Sequence, residues 1–176
     1  MHSWKDKFTE KIANFFYEPS SSSSSSPSSS DHDQGSTLKH GISLRTLIRN
    51  TFEVHGPCLL ITGDNKGVVF GGLINSPLTP TPQRKYQGTV QTFVFTTLYG
   101  APTLFRPTGA NRYFYICSND MLAFGGGGSF ALRLDGDLLT GTSGPCDTFG
   151  NRCLAHNEEF ELKNVEVCNT LNVCIT

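Results

Sequence analysis

From Ser36 onward the apolar positions recur in two rhythms. In "SLRTLIRNTF" Leu44, Leu47, Ile48 and Phe52 follow at steps of three, one and four. That spacing predicts one face of a helix, with Ser43 placed to cap its first amides. His55-Gly56-Pro57 then ends the helix, because proline brings no backbone donor and glycine tolerates the conformations that close a last turn. Beyond it the runs shorten. "CLLITGDNKGVVFGGLI" reads as strand, tight turn at Asp64-Asn65-Lys66-Gly67, and strand, which is a hairpin. "QTFVFTT" is another strand, and "TLFRP", "RYFYICSN" and "MLAFGG" supply short apolar or aromatic runs split by Pro107-Thr108-Gly109 and Asn119-Asp120. "SFALRLDGDLLTG" has the pattern of a second hairpin around Asp135-Gly136. "FELKNVEVC" alternates through Phe160, Leu162, Val165 and Val167, with Asn164 marking a bulge or slip. Many short strands at a spacing of roughly ten residues, with few helices, predict a mainly β fold, an antiparallel β-sandwich.

The first residues follow a different plan. Trp4, Phe8, Ile12, Phe15 and Phe16 fall on one helical stripe, with Lys5, Asp6, Glu10 and Lys11 around the other side. So short a helix is marginal alone in water and needs a surface to lie against. Two readings stand: a helix that docks on a partner or a membrane, and a helix packed on its own domain or frayed. Membrane contact is the weakest of these, since Lys5, Lys7 and Lys11 are balanced by Asp6, Glu10 and Glu18. Residues 20–30 are serine apart from Pro27, a composition that cannot repay the entropy of ordering. The expected organisation is an amphipathic helix over 1–18, a disordered Ser-rich linker over 19–35, a folded domain over 36–168 and an atypical tail over 169–176.

Composition narrows the function classes. The net charge is −1 with no long run of one sign, so nucleic acid is not expected as a partner. No apolar stretch approaches the about 18 residues of a membrane span. The N-terminus lacks an apolar secretory core and carries acids that a mitochondrial presequence avoids, so an intracellular protein is the default. Cys58, Cys117, Cys146, Cys153, Cys168 and Cys174 are then expected as reduced thiols rather than a disulfide framework.

The most suggestive chemical motif is Gly125-Gly126-Gly127-Gly128. A dinucleotide site needs its glycines between a strand and a helix N-terminus, where the helix end binds pyrophosphate. Here Phe130, Leu132 and Leu134 alternate directly afterwards, which predicts a strand. The glycines are better read as a passage between strands that needs positive φ or close backbone approach. The chain has no Gly-Lys-Ser/Thr and no Gly-x-Ser-x-Gly, the signatures of a phosphate-binding loop and a hydrolase nucleophile. Cys153 and His156 have a Cys-x-x-His spacing, but no tetrahedral set completes it. Asp64, Asp135 and Asp137 lie in turn sequences, where side-chain to backbone hydrogen bonding explains them. No catalytic residue, metal site or cofactor is expected.

"KHGISLRTLIRN", "HGPCLLITGDNKGVVFGGLINSPL", "YQGTVQTFVFT", "FRPTGANRYFYICSNDMLAFGGGGSFALRLDGDLLTGTSGPCDTFGN" and "FELKNVEV", taken in order, resemble a TLDc domain over residues 36–167. The specific points are Gly56-Pro57, Phe70-Gly71, Thr92-Phe93, the Gly125–Gly128 run before an alternating strand, and Cys146-Asp147-Thr148-Phe149. The N-terminal helix and Ser/Pro linker resemble the plant branch. The resemblance implies a β-sandwich flanked by helices, without catalytic residues, in a family associated with protection against oxidative stress. It also implies a protein partner, since several members bind the vacuolar-type proton-pumping ATPase and regulate its assembly. Plant relatives imply a nuclear or nucleolar location, so the expected compartment is the cytoplasm, the nucleus or both. Acidic residues have been suggested to matter in the family; Asp147 alone carries over, and Gln91 stands where members often have Glu.

Two departures accompany it. Ser36–Gly41 keeps only the last part of the family's opening helix and strand, and "CNTLNVCIT" follows Val167 where the family reads Val-Trp-Gly-Phe. Both ends have the character of a truncated or alternative product. Loss of one buried aromatic costs about 3–5 kcal/mol, a large share of the roughly 5–15 kcal/mol of a domain, so a destabilised fold is expected.

The functional expectation is a non-catalytic interaction module. Its candidate positions are Gly125, Gly126, Gly127, Gly128, Cys146 and Asp147 within the domain, the loops Asp64–Gly67 and Asn119–Gly128, and Trp4 and Phe8 on the N-terminal stripe. The alternative is a direct thiol-based redox or peroxide-scavenging protein using Cys146 or Cys153, which requires an exposed, readily ionised thiol.

Overall fold

The computed structural model describes residues 42–169 together with the backbone at 174 and 175. The N-terminal stripe with Trp4 and Phe8, the serine run and most of the tail lie outside the described residues.

The chain begins with helix α1 (Leu44–Asn50), capped by Ser43, whose Oγ accepts from the Thr46 amide at 3.3 Å. Leu44, Leu47 and Ile48 are buried on the expected face. Phe52 is not with them. The helix tightens into a 3-10 turn over Thr51–Glu53, and the change of pitch carries Phe52 out to 55% exposure. Thr51 Oγ1 closes the helix end, donating to Ile48 O at 2.7 Å and accepting from the Leu78 amide at 3.0 Å.

Every strand pairing is antiparallel. Strands β1 (Gly56–Asp64) and β2 (Val69–Ser76) form the first hairpin, registered from Gly56 opposite Ser76 to Gly63 opposite Val69. The Asp64 carboxylate builds its turn, with Oδ1 accepting from the amides of Lys66 and Val68, each at 2.9 Å. Then come β3 (Tyr86–Gln87), β4 (Val94–Thr96), β5 (Thr103–Phe105), β6 (Tyr115–Cys117) and β7 (Met121–Phe124). The second expected hairpin is β8 (Leu132–Asp135) and β9 (Thr140–Thr142). The long β10 (Glu159–Asn169) and the short β11 (Cys174–Ile175) complete the order.

One sheet runs β5-β4-β2-β1-β10 and the other β3-β6-β7-β8-β9-β10, so β10 belongs to both. Its first residues, Glu159–Glu161, pair with β9, and from Leu162 onward it pairs with β1. The crossing is marked by a bulge. Gly63 faces Asn164 but Asp64 faces Leu162, which leaves Lys163 as the extra residue, one place from the position expected from sequence. The two sheets meet face to face: a Cβ on Gly72 of β2 would lie 2.6 Å from the Phe124 ring of β7. Phe70 and Phe160 meet edge to face at 4.9 Å within the same core. The mainly β antiparallel sandwich therefore stands, while of the flanking helices only α1 and its 3-10 turn occur among the described residues.

The expectation of reduced thiols does not hold throughout. Cys58, Cys117, Cys146 and Cys153 are free thiols, but Cys168 is disulfide-bonded. Pairing with β11 sets the Cys168 backbone opposite that of Cys174.

Candidate functional site

Gly125–Gly128 leave the end of β7 and lead by way of Ser129–Ala131 into strand β8, with no helix between. Gly125, Gly127 and Gly128 have φ of +83°, +76° and +125°, values that side-chain-bearing residues rarely adopt. Gly126 is required for space, since a Cβ there would lie 2.7 Å from the Tyr86 hydroxyl. The segment is held by the Cys146-Asp147-Thr148-Phe149 motif. The Gly126 amide donates to Thr148 Oγ1 at 2.9 Å, and Thr148 Oγ1 in turn lies 2.8 Å from Asn111 Oδ1. The Gly125 amide donates to Phe114 O at 3.0 Å. Gly128 bridges Cys146, and a Cβ on Gly125 would meet the Cys146 sulfur at 2.6 Å. Two of the four amides a phosphate cradle would use, those of Gly125 and Gly126, are thus engaged within the fold.

Cys146 is only 5% exposed and donates its thiol proton to Asn151 Oδ1 at 3.2 Å. Cys153 is half-buried among the carbonyls of Ser143, Ala155 and Asn157, at 3.4, 3.2 and 3.7 Å. Burial pushes the Cys58 thiol up and the Cys117 thiol up to about 12, so both stay protonated at neutral pH. Asp147 is exposed, its main chain tied down by Thr108, whose Oγ1 donates to Asp147 O at 2.7 Å. Beside the glycines, Tyr86 and Tyr113 stack with ring centres 4.6 Å apart. Burial, then the neighbouring Tyr113 and Cys146, push the Tyr86 phenol up.

The segment Asn119–Gly128 is not one loop. Buried strand β7 divides it, leaving Asn119 and Asp120 at one end and the glycines at the other. At the first end Asp120 takes a hydrogen bond from the Ser118 hydroxyl and pairs with Arg84 at 3.4 Å; the Ser118 hydroxyl first, and Arg84 after it, hold its carboxyl below the usual range.

A cleft of about 700 Å³ opens where β10 passes from β9 to β1. Its floor is Gly141 and Phe160: a Cβ on Gly141 would lie 2.8 Å from the Phe160 ring, so glycine lets that ring close over β9. Its walls carry Asp64, Lys66, Arg133, Asp135, Glu159 and Glu161. Arg133 pairs with Asp135 at 3.1 Å, whose other oxygen accepts from Thr140 Oγ1 at 2.7 Å. Glu161 accepts from Asn65 Nδ2 at 2.8 Å, and Lys66 Nζ lies 3.1 Å from the Asn157 side-chain amide, whose oxygen accepts from it in the orientation that satisfies both amide ends.

Residues 34–169 match the TLDc domain. The chain belongs to the TLDc-domain family. Human oxidation resistance protein 1 is 45% identical to this TLDc protein over 132 residues, 74% of the chain but 15% of the relative. The Xenopus tropicalis protein of that name is 42% identical over 133 residues, and Gallus gallus nuclear receptor coactivator 7 is 39% identical over 137 residues. The alignments span about a seventh of each relative, 15% and 14% of its length respectively.

The candidate residues named from the TLDc sequence separate in space by role. Gly125–Gly128, Cys146 and Asp147 come together as one passage with its clasp. Asp64–Gly67 lines the cleft instead, through Asp64, Asn65 and Lys66. Glu161, which takes a hydrogen bond from Asn65 of that loop, and Glu159 on the same cleft wall were not singled out from sequence. Their only local signal is the acidic run Glu158-Glu159 ahead of an alternating strand. No His, Cys, Asp and Glu grouping suited to a metal ion occurs among the described residues. No helix among them is long and apolar enough to cross a membrane.

Proposed function

We propose that this TLDc protein is a non-catalytic interaction module in protection against oxidative stress, working in the cytoplasm or nucleus by binding the vacuolar-type proton-pumping ATPase and regulating its assembly. The observation that carries the non-catalytic part is the tetraglycine passage. It is the sequence's strongest hint of cofactor chemistry, yet it continues into a strand and is held by Thr148 and Cys146. Support for the protective role comes from the family and from relatives named oxidation resistance protein 1. Direct thiol chemistry is the weaker reading, because Cys146 is buried and hydrogen-bonded and Cys153 is half-buried among carbonyls.

Affinity purification of the whole chain from cells, read by mass spectrometry beside a form lacking residues 1–35, tests the proposal. Recovery of proton-pump subunits with the whole chain is expected. Recovery of no stable partner, with peroxide consumption by the purified protein, contradicts it.

A further inference from the structure

The cleft at the β10 crossing has a chemistry that neither the family match nor the relatives' names assign. We propose that it binds a lysine- or arginine-bearing segment of a partner protein, which rests on the interaction-module reading and specifies the partner's chemistry.

The cleft is built into the fold rather than shaped by a loop. The bulge at Lys163 lets β10 leave β9 and join β1, and the opening lies where Asp64, the β8–β9 hairpin and the start of β10 converge. Its charge is one-sided once its internal partners are counted. Asp64, Asp135, Glu159 and Glu161 face two permanent cations, Lys66 and Arg133. Arg133 is neutralised by Asp135, which leaves Asp64, Glu159 and Glu161 against Lys66 alone, whose contact with the neutral Asn157 amide leaves its charge in place.

The remaining carboxylates have acceptor capacity to offer. Asp64 is 3% exposed, and both of its hydrogen bonds to Lys66 and Val68 go to Oδ1. Its Oδ2 has no donor among the described residues. The buried side-chain oxygen that lacks a partner there is Ser76 Oγ, so Asp64 Oδ2 is a solvent-reachable open acceptor on a residue that lines the cleft. The Glu159 side chain has no hydrogen bond or ion pair among them, and Glu161 engages Oε2 alone. An ammonium or guanidinium group supplies the donors these oxygens lack. Phe160 and Gly141 on the floor offer apolar surface for the aliphatic stem behind such a head group. An anionic segment would instead meet uncompensated carboxylates.

Titration of the isotope-labelled whole chain with a synthetic decapeptide of alternating lysine, arginine and glycine, followed by amide NMR, tests this. A glutamate-for-basic decapeptide is the control. The expected result is shifts confined to Asn65, Lys66, Gly141 and Glu159, with affinity falling at least tenfold in Glu159→Gln/Glu161→Gln and declining as salt rises. Both substitutions are at exposed positions, and an unchanged amide spectrum elsewhere confirms the variant's fold. Shifts centred elsewhere, undiminished binding by the variant, or preference for the acidic peptide overturns the proposal. The module reading is tested separately: partners retained by a chain that ignores the basic peptide preserve it and remove the cleft. A basic peptide bound in the cleft by a chain that recovers no protein partner does the reverse.

Discussion

Thr148 holds Gly126 at both of its peptide groups. The Gly126 amide donates to Thr148 Oγ1 at 2.9 Å, and the Thr148 amide donates back to Gly126 O at 3.4 Å. This pairing anchors the tetraglycine passage against the second half of the domain. Thr148→Val keeps the shape and removes the hydroxyl, leaving a buried amide without its acceptor. The expected loss is about 1–3 kcal/mol in urea unfolding, against within about 0.5 kcal/mol for Ser129→Ala on the exposed side of the same segment.

The contact between the sheets is tested at Gly72. Its added Cβ would lie 2.6 Å from the Phe124 ring, so Gly72→Ala forces apart β2 and β7. Overpacking of this kind costs about 1–3 kcal/mol. Phe124→Leu makes room at that point, so a double-mutant cycle should show the Gly72→Ala penalty reduced in the Phe124→Leu background. Additive losses would mean that the two positions do not share the contact.

Burial of Cys117 gives stability a dependence on alkaline pH. Its folded pKa is raised from 9.0 to about 12, so its contribution is fully present below pH 9. As pH rises from 9 towards 12 the unfolded thiol ionises while the folded one does not, and stability falls. Denaturation midpoints across this window should decline more steeply for the native chain than for Cys117→Ala, with parallel behaviour below pH 9.

The thiols separate the two functional readings. Replacing Cys146 and Cys153 together by serine should leave peroxide consumption unchanged. In the native chain iodoacetamide should label half-buried Cys153 ahead of Cys146, which is 5% exposed. A fall in peroxide consumption in the double variant would restore the direct redox role.

The features legible in the sequence are those decided by neighbours along the chain. Ser43 caps α1 through an amide three residues on, Asp64 builds its own turn, and the β8–β9 hairpin turns at Asp135-Gly136 as the pattern implies. Gly125–Gly128 were legible as a passage because the following alternation is local, but their clasp was visible only as a family motif. Phe52 escaped because the tightening from helix to 3-10 turn is set where the segment meets Val54 and the first strand. The cleft escaped for a different reason. Asn65 and Glu161 are 96 residues apart and meet only because β10 crosses between sheets. The Cys168 disulfide likewise depends on which strand lies beside β10, which composition does not encode.

Hydrogen exchange at the Gly126 amide, measured with and without ATP, tests the structural role of the tetraglycine most directly. Protection comparable to core amides of β7 and unchanged by ATP is the predicted result. Rapid exchange in the apo chain, with protection gained only when the nucleotide is added, would contradict it.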